Sequence, residues 1–165
     1  MDFLQDKRLM RLSLLVCTWL CLGACGQEPE DTGSVRLNFS VSSSVRSSPH
    51  LDAELYGSVY GGIFYVQDVS VLGPVEGAES LASVELADVD LREVEASVAS
   101  WTGTLAPGNY VFLGFYDVDG NSDAMEETNP DNGDPVTLAN TNSFEIHQGV
   151  DSELNVEFNL LYNFD

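Results

Sequence analysis

Past residue 25 this 165-residue sequence contains no cysteine and no lysine. The first absence excludes disulfides from everything downstream, together with thiolate metal sites and cysteine nucleophiles. The second leaves Arg36, Arg46 and Arg92 as the only bases there, in a chain with 27 acids and a net charge of −21. Such a surface repels phosphate backbones, so no nucleic-acid partner is expected. The two histidines, His50 and His147, lack the spacing of a zinc pair, and no G-x-S-x-G elbow occurs. Pairs of carboxylates can cleave glycosides, but any acidic loop supplies two. The chain therefore reads as non-enzymatic. A long amphipathic helix is missing too, since no stretch after residue 25 keeps an apolar period of about 3.6 residues beyond a short turn near Glu126.

What the first 25 residues hold is different. In "MDFLQDKRLMRLSLLVCTWLCLGAC", Lys7, Arg8 and Arg11 precede an apolar run from Leu12 to Ala24. That run falls short of the roughly 20 apolar residues that span a bilayer, and the layout is that of an export signal. At its end "LGAC" (Leu22 to Cys25) resembles the bacterial lipobox, in which small residues precede a cysteine that is lipidated and becomes the new N-terminus. Cys17 follows Val16 and Cys21 follows Leu20, so Cys25 alone fits. An ordinary cleaved signal with three incidental cysteines is the alternative. The resemblance implies a signal peptide over 1–24, then a lipidated Cys25 and flexible tether over 25–33. It also implies a membrane partner reached through the N-terminal lipid without a crossing segment. The expected place is the cell envelope, with the outer membrane favoured, because Gly26 stands where an aspartate commonly retains lipoproteins at the inner membrane.

From residue 34 onward the pattern changes to period two. In "SVRLNFSV", Val35, Leu37, Phe39 and Val41 alternate with Ser34, Arg36, Asn38 and Ser40. The end of the chain repeats this: Leu154, Val156, Phe158, Leu160, Tyr162 and Phe164 share one face. Between these ends lie "GSVYGGIFYV", "ASVELADVDL", "ASWTGTL", "NYVFLGFYD" and "SFEIH", separated by turn-forming clusters such as "LGPVEG" and "APGN". "NYVFLGFY" is apolar on both faces and predicts a central strand. The alternation slips after Leu86, which predicts a bulge. About seven strands without helices predict an all-β, antiparallel β-sandwich over 34–165, large enough to bury a core without disulfides.

"GTLAPGNYVFLGFYDVDG" (Gly103 to Gly120) resembles the L-x-P-G-x-Y segment of prealbumin-like and carboxypeptidase-regulatory-like sandwiches. Pro107 and Gly108 predict a type II turn with positive φ at the glycine. The resemblance implies a scaffold rather than an activity, since such sandwiches host binding, structural and accessory roles.

The acidic stretch "DVDGNSDAMEETNPDNGDP" (Asp117 to Pro135) holds seven carboxylates and no base. Asp117, Asp119, Asn121 and Asp123 fall at alternate positions, a spacing from which oxygen ligands converge on a hard cation in calcium loops. The likeness to an EF-hand is partial, because Ser122 replaces the glycine and Thr128 occupies the twelfth position. Glu126, Glu127, Asp131 and Asp134 are candidates for the missing carboxylate, with Asn132-Gly133 turning the loop back. Ca2+ is thus the candidate cofactor. The competing reading is a solvated acidic hairpin loop whose side chains satisfy turn geometry.

Both histidines read as ordinary surface residues. Tyr56, Tyr60, Phe64, Tyr65, Trp101 and Tyr116 would form a glycan platform if several shared an outer face, and core rings otherwise. The sequence therefore describes a lipid-anchored accessory or binding module of the envelope, with an envelope protein or a glycan as candidate partner. The alternatives are a structural envelope protein without a small ligand and a carbohydrate-binding module.

Overall fold

The computed structural model describes residues 31–51, 54–93, 99–122 and 129–163, so the expected export signal and Cys25 lie outside the described residues. Alternation becomes burial in β1 (Gly33–Val41), where Val35, Leu37 and Phe39 are fully buried and Arg36 between them is exposed. One helical turn, α1 (Ser43–Arg46), follows, with Ser42 Oγ accepting from Val45 N at 3.2 Å as an N-cap. The chain continues through β2 (Tyr56–Tyr65), β3 (Val69–Ser70), β4 (Gly73–Pro74), β5 (Ala82–Asp90), β6 (Ser100–Leu105) and β7 (Gly108–Asp117). It ends with β8 (Pro135–Val136), β9 (Ser143–Ile146), β10 (Asp151–Phe158) and β11 (Leu160–Leu161). Each of the seven period-two segments carries a strand. The two-residue strands β3, β4, β8 and β11 are too short to leave a period in the sequence.

The domain is all-β, and two sheets pack into a sandwich. One has the order β10-β1-β6; the other has the order β11-β8-β7-β2-β5, with β9 also paired to β7, so β7 is central as expected. β3 and β4 form a separate small hairpin. Rings lock the two layers together: Phe39 of β1 meets Phe112 of β7 edge-on at 5.4 Å and stacks with Phe158 of β10 at 6.0 Å. Phe158 in turn stacks on Tyr116 at 5.8 Å. Gly61 and Gly114 face each other across β2 and β7. A Cβ on either would stand 2.6 Å from Phe112 Cζ, so the facing glycines make room for that ring.

Three expectations need correction. β1 and β10 run parallel, Val35 opposite Ser152 through Val41 opposite Phe158, so the sandwich is not wholly antiparallel. Alternation has the same period in both pairings and cannot tell them apart. The C-terminal face also breaks at Asn159, where the chain leaves one sheet for the other. Leu161 packs on the core, and Leu160 is 48% exposed. The third concerns the P-G turn: Gly108 is not among the positive-φ glycines, because it already pairs with Ile146 as an extended residue of β7. Its lack of a side chain serves Tyr110 instead. A Cβ there would lie 3.1 Å from Tyr110 Oη, which donates to the Ala106 carbonyl at 2.7 Å. Tyr110 thus closes the corner, stacking on Tyr65 at 5.3 Å.

The expected bulge is present. Val59 pairs with Leu86 but Gly57 with Val89, which leaves an extra residue on β5, and Asp88 adopts φ +56°. Arg46, at the end of α1, fastens the two sheets at this end. Its Nε donates to Val41 O at 3.1 Å, and Nη2 and Nη1 donate to the carbonyls of Leu91 and Arg92 at 2.7 and 3.0 Å.

Candidate metal centre

The acidic loop begins where β7 runs out of pairing. Asp117, the last residue of β7, is 1% exposed and folds its carboxylate over the turn that follows. Oδ1 accepts from Gly120 N at 2.8 Å and Oδ2 from Ser122 N at 3.2 Å. Gly120 supplies the positive φ, +74°, that lets the chain curl around the carboxylate. Asp119 points into the same space, and Asn121 N donates to it at 3.2 Å.

The far arm of the loop brings Asp134 back. Asn132-Gly133 makes the expected turn, with Gly133 at φ +106°. Asp134, also 1% exposed, takes Val118 N on Oδ1 at 3.3 Å and Asp131 N on Oδ2 at 3.1 Å. The backbone here is tied to the residue that follows the last strand: Gly133 N donates to Tyr162 O at 2.9 Å and Tyr162 N to Asp134 O at 2.8 Å. Carboxylate oxygens of Asp117, Asp119 and Asp134 consequently lie within 4.8 Å of one another.

Of the eight candidate ligands, these three converge. Asn121 donates its Nδ2 to Asp119 at 2.9 Å and also to Asp131, so here it clasps the two arms of the loop. Asp131 is half-buried beside the cluster. Asp123, Glu126 and Glu127 lie outside the described residues. The spacing of alternate acids did not single out Asp134 as a buried member. The signal for it was the Asn-Gly turn, which returns the chain to the end of β7.

Burial and crowding act on the protonation of the cluster. Withdrawal from water pushes the Asp134 carboxyl up to about 6, with the charges of Asp131 and Asp117 adding to the effect. Asp119 is raised too, mainly by partial shielding from water and then by the same neighbours. Among the described residues, no arginine or lysine forms an ion pair with Asp117, Asp119, Asp131 or Asp134. A cavity of about 430 Å³ opens beside the cluster, bordered by Asp119, Asp131, Asp134 and His50. Three convergent carboxylates, Asp117 and Asp134 each held by two backbone donors and Asp119 by one, suit a hard cation with oxygen ligands.

The other candidate features fall elsewhere. His147 is exposed and lies 3.7 Å from Glu145. Tyr60 and Trp101 do not share a face: Tyr60 is in β2 of the larger sheet, and Trp101 is in β6 of the smaller one, packed against the core. Tyr116 is fully buried, with Oη donating to Val89 O at 2.7 Å. A glycan platform that pairs Tyr60 with Trp101 is therefore not assembled, although Tyr60 and Phe64 share the outer face of β2.

No protein-family model matches this sequence, and no curated protein matches it. Among solved structures, a leucine-rich repeat protein from Bacteroides thetaiotaomicron is similar at 13% identity with a TM-score of 0.41. The alignment covers 77% of this chain and 12% of that one, so the chain spans about an eighth of that protein's length.

Proposed function

We infer that this chain is a lipid-anchored, non-enzymatic accessory domain of the cell envelope, a prealbumin-like β-sandwich whose acidic loop binds calcium. The observation that carries the ion is the pair Asp117 and Asp134, each 1% exposed, with Asp119 beside them and no base paired to any of the three among the described residues. Crowded carboxylates out of water repel one another and rise in pKa unless a cation joins them. Calcium suits a set of carboxylate and main-chain oxygens on a loop, because it accepts irregular geometry, whereas magnesium demands an octahedron and keeps its waters. The anchor rests on Cys25 at the end of "LGAC", and the outer membrane on Gly26 after it.

Isothermal titration calorimetry on the full chain tests the ion. A single saturable calcium isotherm is expected in the wild type, a weaker one with magnesium, and loss of the calcium isotherm in Asp119→Ala. No saturable heat up to the millimolar affinities of extracellular modules would leave a structural envelope domain without a small ligand.

A further inference from the structure

The face of the larger sheet turned away from the core carries a groove of about 790 Å³. Tyr60 and Phe115 are register partners on β2 and β7, with ring centroids 5.6 Å apart, and with Phe64 and Leu113 they make an apolar bed. The β3–β4 hairpin overhangs it. Val71 and Leu72 at the hairpin tip are 86% and 96% exposed, and Leu138 on the opposite wall is 39% exposed. Glu85, opposite Tyr60 on the edge strand β5, is the one charged side chain among the described lining residues.

Large apolar side chains left this bare beside an unfilled apolar groove mark a surface that something covers. Two occupants are disfavoured on charge. A second copy brings another net −21, and the tether "GQEPEDTG" is acidic and has no apolar side chain beyond that of its proline. An apolar bed bordered by the single carboxylate of Glu85, on a chain with a net charge of −21, is complementary to an apolar segment flanked by positive charge. We propose that this groove docks an apolar polypeptide segment of a partner protein, flanked by lysine or arginine, with the Val71–Leu72 tip packing over it. This deepens the accessory-module reading by naming the chemistry of the partner, and it does not depend on the ion.

The test uses the full chain and an array of synthetic twelve-residue peptides. Each has a core of Leu, Val and Phe in every register and is flanked by Lys in one set and by Glu in the other; binding is read by fluorescence anisotropy. Lys-flanked members should bind at least about tenfold tighter than their Glu-flanked twins, with affinity falling as salt rises. Leu72→Ser changes a side chain that packs on nothing, so it should leave melting unchanged while weakening binding by about tenfold. Glu85→Gln should reduce the preference for Lys flanks. Equal binding of both peptide sets, no binding across the array, or an unaffected Leu72→Ser overturns the proposal. So does self-association by sedimentation, or binding to a neutral glycan array, that Leu72→Ser abolishes. Loss of peptide binding with an intact calcium isotherm removes the groove alone, and the reverse removes the ion alone.

Discussion

Asp117 and Asp134 stand at opposite ends of the acidic loop in sequence and meet at its base in space, both 1% exposed. Each carboxylate is gripped by two backbone N–H groups, so neither can swing out to water without breaking the turn that holds it. Like charge held in place in this way should make the loop respond to ions and to protons.

Calcium at about 100 times its dissociation constant should add roughly 2.7 kcal/mol to the stability of the wild type. Thermal melts in calcium, in magnesium and in sodium chloride at matched ionic strength separate ion binding from simple screening, which also stabilises a chain this acidic. Asp119→Ala should melt at the same temperature with and without calcium. Equal stabilisation of wild type and variant would leave only the solvated-loop reading.

Protons should act in the opposite sense to calcium. The Asp134 carboxyl titrates near 6 in the folded chain, above its ordinary value of 3.8. A raised folded-state value favours the protonated form, so its contribution is fully present below pH 3.8 and is lost as pH rises through 6. In chelator, unfolding free energies from urea titrations should therefore fall across that window by on the order of 2 kcal/mol, after allowance for solvent screening. Asp134→Asn should flatten this slope even though its amide loses one acceptor and lowers stability throughout. With saturating calcium the slope should reverse, because the ion binds the ionised carboxylates. An identical pH slope in wild type and Asp134→Asn would show that Asp134 does not titrate in this window.

The core tolerates neither removal nor addition. Phe158→Ala deletes a fully buried ring that stacks on Phe39 and Tyr116 and should cost about 3 to 5 kcal/mol. Gly114→Ala adds one methyl group 2.4 Å from Tyr60 O and 2.6 Å from Phe112 Cζ, and should cost at least about 1 to 3 kcal/mol by overpacking. Chemical denaturation measures both. An unchanged midpoint for Gly114→Ala would mean that the Phe112 ring does not lie over the facing glycines.

Cys25→Ser should abolish labelling by a fatty-acid analogue and release the chain from the membrane fraction, since Cys17 and Cys21 lack the preceding small residue. A variant that still labels and sediments with membranes would overturn the anchor.

Local chemistry determined much of this protein. Alternation in "SVRLNFSV" and "NVEF" put Val35, Leu37, Phe39, Val156 and Phe158 into the core, because side chains of a strand leave on alternate sides whatever the strand pairs with. Apolar residues on both faces marked β7 as central, and the slip after Leu86 marked the bulge at Asp88. The Asn132-Gly133 turn was legible for the same local reason, since it depends on backbone preference alone. Other features depended on which surfaces met across the fold. The parallel pairing of β1 with β10 leaves no trace in a period of two, and the crossover at Asn159 reverses a face without interrupting the apolar pattern. The need for glycine at 61 and 114 comes from the Phe112 ring, which lies over both. Within the acidic loop, sequence could count seven carboxylates but not rank them. Only tertiary structure decided that Asp117 and Asp134 are buried together while Asn121 clasps Asp119 and Asp131, because burial is set by what packs against a residue from elsewhere in the chain.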